Sequence, residues 1–213
     1  MGIRWLITGG CGFLGTSLIA DLMAEGGHSG RISDNLSVGN REDLAKVCKF
    51  TETTGSSLLT THSSPEEGTS VELIVGDILD ESLALEVVRD MDVIVHLAAN
   101  TGVGPSVENP RLDCVTNIIG TLNYLEAARH NKAKRFVFAS SGAPLVNAPP
   151  LSMKSSQPIL YHPMAPANLP VRGIAQPISA LSTSRPWLFV SAMSMAPYRA
   201  TKTAPSPSSS ARP

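Results

Sequence analysis

Thr8-Gly9-Gly10-Cys11-Gly12-Phe13-Leu14-Gly15 constrains this chain more than any other stretch. An apolar run, Ile3–Thr8, leads into it. Phe13–Ala24 follows, with Leu14, Leu18 and Leu22 at helical spacing and Ile19 and Met23 alongside. An apolar strand, a glycine turn and an apolar-striped helix, in that order, read as the first strand-helix unit of an open parallel sheet. The three spaced glycines have separate tasks. Gly9 allows the tight turn off the strand, Gly12 lets backbone approach a pyrophosphate, and Gly15 lets helix and strand pack closely. The helix start at Phe13 and Leu14 then faces the phosphates, because its free N–H groups favour an anion. Asp34 closes the next short apolar segment, Arg31–Ser33. A carboxylate there accepts hydrogen bonds from the adenosine ribose hydroxyls and repels a 2′-phosphate, which selects NAD over NADP.

Further segments continue the alternation. Arg41–Cys48 reads as a helix and Lys49–Ser70 as a polar surface loop. Val71–Val75 reads as a strand, Glu81–Arg89 as a helix capped by Asp80 or Ser82, and Val93–Ala98 as a strand. Cys114–His130 reads as one long helix and Arg135–Ala139 as a fifth strand ending in Ser140-Ser141. Strand-helix alternation at this spacing predicts an α/β fold, a Rossmann-type doubly wound parallel sheet.

The composition changes near residue 150. All 18 Asp and Glu precede that point, whereas the remainder is rich in Pro, Ser and Ala and carries only basic charge. We expect residues 1–150 to form an incomplete NAD-binding Rossmann domain. Residues 151–213 are expected to be an irregular, low-complexity tail, disordered or frame-shifted. A net charge of −1 argues against a nucleic-acid binder or a polybasic membrane anchor. No apolar run reaches the roughly 20 residues of a membrane helix, and the start of the chain has no signal-peptide pattern. Three cysteines (Cys11, Cys48, Cys114) provide neither a disulfide framework nor metal-ligand spacing. A cytoplasmic protein is the expectation.

Together the motifs resemble the extended short-chain dehydrogenase/reductase family. The likeness is to its NAD-dependent epimerase and dehydratase branch, of the UDP-glucose 4-epimerase kind. Besides the glycine loop it rests on Asp34-Asn35-Leu36-Ser37, Gly76-Asp77-Ile78, His96-Leu97-Ala98-Ala99, Asn117-Ile118-Ile119-Gly120-Thr121 and Phe138-Ala139-Ser140-Ser141. These stand in family order over residues 3–145. The resemblance implies that Asp34 and Asn35 belong to the cofactor-binding residues and that Asp77 and Ile78 contact the adenine. Leu97, Ala98 and Ala99 would line the cofactor cleft, with Asn117 supporting the nicotinamide side. Ser141 would hold the reacting hydroxyl of a nucleotide-sugar substrate, a UDP-sugar by this likeness. Family members are commonly homodimers.

That chemistry also needs a Tyr with a Lys four residues on, the phenolate taking a proton from the sugar while hydride passes to NAD. The expected place holds Pro163-Met164-Ala165-Pro166-Ala167-Asn168, whose prolines exclude the required helix. Tyr198-Arg199-Ala200-Thr201-Lys202 has the right spacing but lies far beyond Ser141, among prolines. The genetic code offers an explanation. Pro163–Val171 can be encoded so that a shifted frame reads Y-G-A-S-K-L-A-G-E, a family-like Tyr-x-x-x-Lys helix. The same shift permits T-V-A-L-R-F-G-N-V-Y-G over Arg185–Pro197, a second family-like segment. We read the chain as leaving the family frame between Pro144 and Leu151. Its lineage is then an NAD-dependent nucleotide-sugar epimerase, inactive as written. The alternatives are a non-catalytic NAD-binding regulatory protein of the same fold, or a nucleotide-sugar dehydratase or decarboxylase.

Overall fold

The structure is a computed structural model and describes residues 2–54, 70–140 and 188–191. Strand β1 (Arg4–Thr8) carries the apolar run into the glycine loop, and α1 (Phe13–Glu25) leaves it. There follow β2 (Ser29–Asp34), α2 (Arg41–Ala45), β3 (Thr51–Thr54), β4 (Val71–Val75), α3 (Glu81–Val87) and β5 (Val93–His96). Then come α4 (Val103–Glu108), α5 (Pro110–Cys114), a π-helical turn (Val115–Gly120), α6 (Thr121–His130), β6 (Arg135–Ser140) and β7 (Leu188–Ser191). All pairings are parallel, in the order β3-β4-β2-β1-β5-β6-β7. Setting aside the edge strand β3, the order is that of a doubly wound dinucleotide-binding sheet.

Both faces of the sheet are covered, as a parallel sheet requires. On β1, Trp5 and Ile7 pack with Ile19, Ile32, Leu44 and Leu73 on the α1/α2 face. Leu6, between them, packs with Ile74, Val87, Ile94, Tyr124 and Phe136 on the α3/α6 face. That opposition is the two-residue period of a strand. Arg31 joins two layers: its Nε lies 3.2 Å from Glu72, and one guanidinium nitrogen donates to the carbonyls of Val87 and Arg89 at the end of α3.

Several expectations change. Lys49–Ser70 is not loop throughout, since Thr51–Thr54 is an edge strand on β4. A polar strand fits there because an edge strand leaves one side unpaired, and its Thr residues suit extended backbone. The expected helix over Cys114–His130 is divided into α5, the π-turn and α6, with Pro110 at the start of α5, where a missing N–H costs nothing. Within the tail, Leu188–Ser191 pairs in register with Val137–Ser140. Leu188-Phe189-Val190 is the kind of short apolar run that completes a sheet edge.

Candidate cofactor site

The glycine loop is shaped by close approach. Gly9 has φ +68°, and a Cβ there would meet the Ala98 backbone at 2.8 Å. At Gly15 a Cβ would lie 2.5 Å from the Gly10 Cα, so only glycine lets α1 sit against the loop. The backbone N–H of Gly9 donates to the Ser33 carbonyl, fastening the loop to β2. Gly12 caps α1 with no side-chain bond, so the first turn keeps free N–H donors. Gly39, which the sequence reading passed over, packs against the same loop: its Cβ would meet Cys11 and Gly12 backbone at 2.3–2.7 Å. Such a contact has no local signal, because its partner lies across a strand and a turn.

Asp34 is buried at the end of β2. The Cys11 N–H donates to its Oδ2 at 2.9 Å and the Leu36 N–H to its Oδ1 at 2.8 Å. The carboxylate therefore holds both the glycine loop and its own turn, and each oxygen retains a lone pair for a ligand hydroxyl. Burial, with the Asp34 charge nearby, pushes the Cys11 thiol up to about 12, which leaves it an unreactive thiol. Beyond β4, Asp77 accepts the Leu79 N–H at 2.9 Å and the Asn35 side-chain amide at 3.2 Å.

A buried relay of hydrogen bonds backs the other wall. The Leu97 and Ala98 N–H groups donate to Thr8 Oγ1, each at 3.2 Å, filling its acceptor capacity. The Thr8 hydroxyl must then donate to His96 Nδ1, 2.8 Å away. At the other ring nitrogen, Thr121 already donates to the Asn117 carbonyl at 2.7 Å, so His96 Nε2–H donates to Thr121 Oγ1 at 3.1 Å. Both ends require the same tautomer, a neutral imidazole protonated on Nε2. Burial among Tyr124, Phe136 and Phe138 lowers its pKa to about 3 and keeps it neutral.

Asn117 sits in the π-turn, a distortion that recurs at functional sites. Its Oδ1 accepts the Asn100 N–H at 2.8 Å, and its Nδ2 donates to the Asn100 carbonyl and to buried Asp113. Asn117 thus clamps the backbone of Asn100, a residue that sequence reasoning did not select. Tyr124 reaches through the sheet core to Ser33 Oγ at 2.9 Å, and burial drives its phenol well above the usual range.

These elements enclose a cleft of about 610 Å³ at the carboxyl ends of β1, β2, β4 and β5. Gly9, Gly12, Phe13, Leu14, Gly15, Asp34, Asn35, Asp77, Ile78, Leu97, Ala98 and Ala99 all line it. Asn117 does not; it stands behind Asn100, which does. Ser33, Ser37, Val38, Gly39, Gly76, Leu79, Thr101, Leu112 and Thr116 complete the lining. Ser141, Tyr198 and Lys202 lie outside the described residues. Among the described residues, no helix is long and apolar enough to cross a membrane.

Comparison with known proteins agrees with this architecture. The profile of the NAD dependent epimerase/dehydratase family matches residues 5–168. The UDP-glucose 4-epimerase of Mycolicibacterium smegmatis is 33% identical over 165 residues, which are 77% of this chain and 46% of that protein. A dTDP-glucose 4,6-dehydratase of Mycobacterium tuberculosis is 33% identical over 131 residues, 61% and 34% of the two chains. Among solved structures, the UDP-glucose 4-epimerase of Thermus thermophilus in complex with NAD superposes with a TM-score of 0.68 at 26% identity. The superposition covers 89% of this chain and 54% of that one. This chain spans about half the length of the curated relatives it matches, such as 46% of the Mycolicibacterium enzyme. The family match covers well over half of the chain, which therefore belongs to the NAD dependent epimerase/dehydratase family.

Proposed function

We propose that the cleft binds NAD and that the chain carries the cofactor half of a nucleotide-sugar 4-epimerase, with a UDP-sugar as its substrate class. One observation carries this reading: the uncapped start of α1, the Asp34 carboxylate and the Asp77-Ile78 corner line the same cleft. The residues fit the cofactor. The loop presents backbone rather than side chains where a pyrophosphate lies, and α1 offers free N–H donors to it. Asp34 offers lone pairs to ribose hydroxyls, and Ile78 gives an apolar wall for a base. NAD held by these residues would supply a reversible hydride acceptor. This chain's own residues bind and orient: Thr8 and His96 hold the Leu97–Ala98 backbone, and Asn117 holds Asn100 beside it.

The second half of the proposal concerns residues 151–213. We place an NAD-binding unit in residues 1–150 and a frame-shifted tail after it, so that no Tyr-x-x-x-Lys base stands where the family has one. General acid–base groups typically contribute about 10²–10⁴-fold, and a hydroxyl at Ser141 does not replace the phenolate. The missing dyad favours a second reading, an NAD-binding regulator of the same fold. The 33% identity to a dTDP-glucose 4,6-dehydratase supports dehydration as the alternative chemistry of the lineage.

The test compares the chain as written with one restored to the shifted frame, on UDP-glucose and UDP-galactose with NAD. The expected result is turnover by the restored chain alone. Turnover by the written chain, abolished by Tyr198→Phe, would overturn the frame-shift reading and make Tyr198 and Lys202 the dyad.

A further inference from the structure

Glu52 stands on the edge strand that the sequence reading took for loop. It is in register with Leu73, and Leu73 with Ile32, so these three side chains share one face of the sheet. Leu73 and Ile32 belong to the α1/α2 core, and a Cβ on Gly10 would touch Ile32 at 2.6 Å. Glu52 is therefore on the glycine-loop side, two strand spacings (roughly 10 Å) from β2. Arg41, first residue of α2, meets it there. Its Nε donates to Glu52 Oε2 and a second guanidinium nitrogen to Oε1, both at 2.7 Å. Gly39, two residues before Arg41, packs on the Cys11–Gly12 backbone, and the Cys11 N–H is bound to Asp34. Gly39 and Asp34 line the same cleft, and Arg41, which does not line it, follows Gly39 by two residues, so the pair stands just outside the ribose end. Lys46, at the end of α2, is paired with Asp43 at 2.6 Å.

A planar guanidinium near a ribose edge is a ready acceptor for a 2′-phosphate, because it matches phosphate geometry with two parallel donors. Here that fork is filled by a carboxylate. We propose that Glu52 is a specificity residue, which holds Arg41 in a two-pronged ion pair and so keeps it from receiving the 2′-phosphate of NADP. This rests on the NAD reading above and extends it: discrimination has two components, repulsion by Asp34 and sequestration of Arg41. Asp34 also accepts two backbone N–H groups, so its exchange alters the loop as well as the ribose contact. Glu52 is part-exposed, its side chain 33% accessible, and can be exchanged.

The experiment titrates the full chain with NAD and with NADP, as wild type, Glu52→Gln and Glu52→Gln/Arg41→Gln. Released from its partner, Arg41 is expected to raise NADP affinity by about ten-fold, the scale of one charge-assisted contact. NAD affinity should stay within about two-fold, and the NADP gain should vanish in the double variant. It should also shrink as salt rises, because the pair is solvent-accessible. Unchanged NADP affinity in Glu52→Gln, with NAD still bound, would overturn the role of Glu52 and leave the NAD site intact. A gain that persists without Arg41 would overturn it equally. A folded wild-type chain that binds neither dinucleotide would overturn the NAD reading and this inference with it.

Discussion

Gly12 and Gly15 separate what the glycine loop does for the fold from what it does for a ligand. A methyl at Gly15 meets backbone at 2.5 Å, and backbone cannot move aside as a flexible side chain can. Gly15→Ala should therefore cost about 2–3 kcal/mol, within the usual range for overpacking, as a shifted urea midpoint. At Gly12 a methyl meets only the Gly9 carbonyl at 3.3 Å. Gly12→Ala should cost no more than ~1 kcal/mol as a capping effect yet weaken NAD, because its methyl intrudes where phosphate approaches. Equal losses of stability in the two variants would show that Gly12 serves packing alone. His96 gives a second residue-scale prediction. Its folded pKa of about 3 lies below the ordinary value of 6.5, so the unfolded chain takes up the proton first. Its contribution is complete above pH ~6.5 and is lost as the pH falls toward 3, at up to about 1.4 kcal/mol per pH unit. NMR should show a neutral Nε2–H imidazole still present at pH 5; an ordinary titration midpoint would contradict the relay. The cleft-lining residues named from the sequence came from local signals or from the resemblance: the glycines by their spacing after a strand, Asp34 by its position at a strand end, and Asp77 by the family likeness. Gly39, Asn100 and the Thr8–His96–Thr121 relay were not legible, because each is defined by a partner far away in the chain.

Elements that carry an apolar period were read nearly to their ends; those that do not were missed or merged. β1, β4, α1 and α3 follow apolar runs or stripes and fall within two residues of the expected bounds. β3 was missed because Thr-Glu-Thr-Thr is polar, and its pairing with β4 is the only signal that it is a strand. The π-turn was invisible because one extra residue in a helical turn leaves the apolar pattern nearly unchanged, while it re-aims Asn117 toward Asn100. Arg31 tests how the elements are joined. It pairs with Glu72, whose side chain is only 8% accessible, and it bonds carbonyls at the end of α3. Arg31→Met leaves that carboxylate buried without its cation and should cost about 2–3 kcal/mol, somewhat below the range for a fully buried pair because Arg31 is itself part-exposed. Adding Glu72→Met should recover most of the loss. Additive losses in the double variant, read by urea denaturation, would show that the two residues act independently.

At the scale of the whole molecule, one sheet buried on both faces brings four strand ends to one cleft, and the family match, the glycine loop and Asp34 all converge there. The sheet order was legible as a class because alternating strands and helices of this length admit few arrangements. The edge strands β3 and β7 were not read: β3 is polar and is recognised by its neighbour, and the short apolar run of β7 lies inside a Pro/Ser/Ala-rich stretch read as irregular. The most direct test of NAD binding at this cleft is an equilibrium titration of the full folded chain with NAD and NADP, repeated on Asp34→Ala. Saturable binding with NAD preferred is the expected result. In Asp34→Ala, NAD should weaken by ~10–100-fold as charged hydrogen bonds are lost, while NADP weakens less because repulsion of its 2′-phosphate is also removed. A folded protein that prefers NADP, or an Asp34→Ala variant that binds NAD as tightly as the wild type, would contradict it.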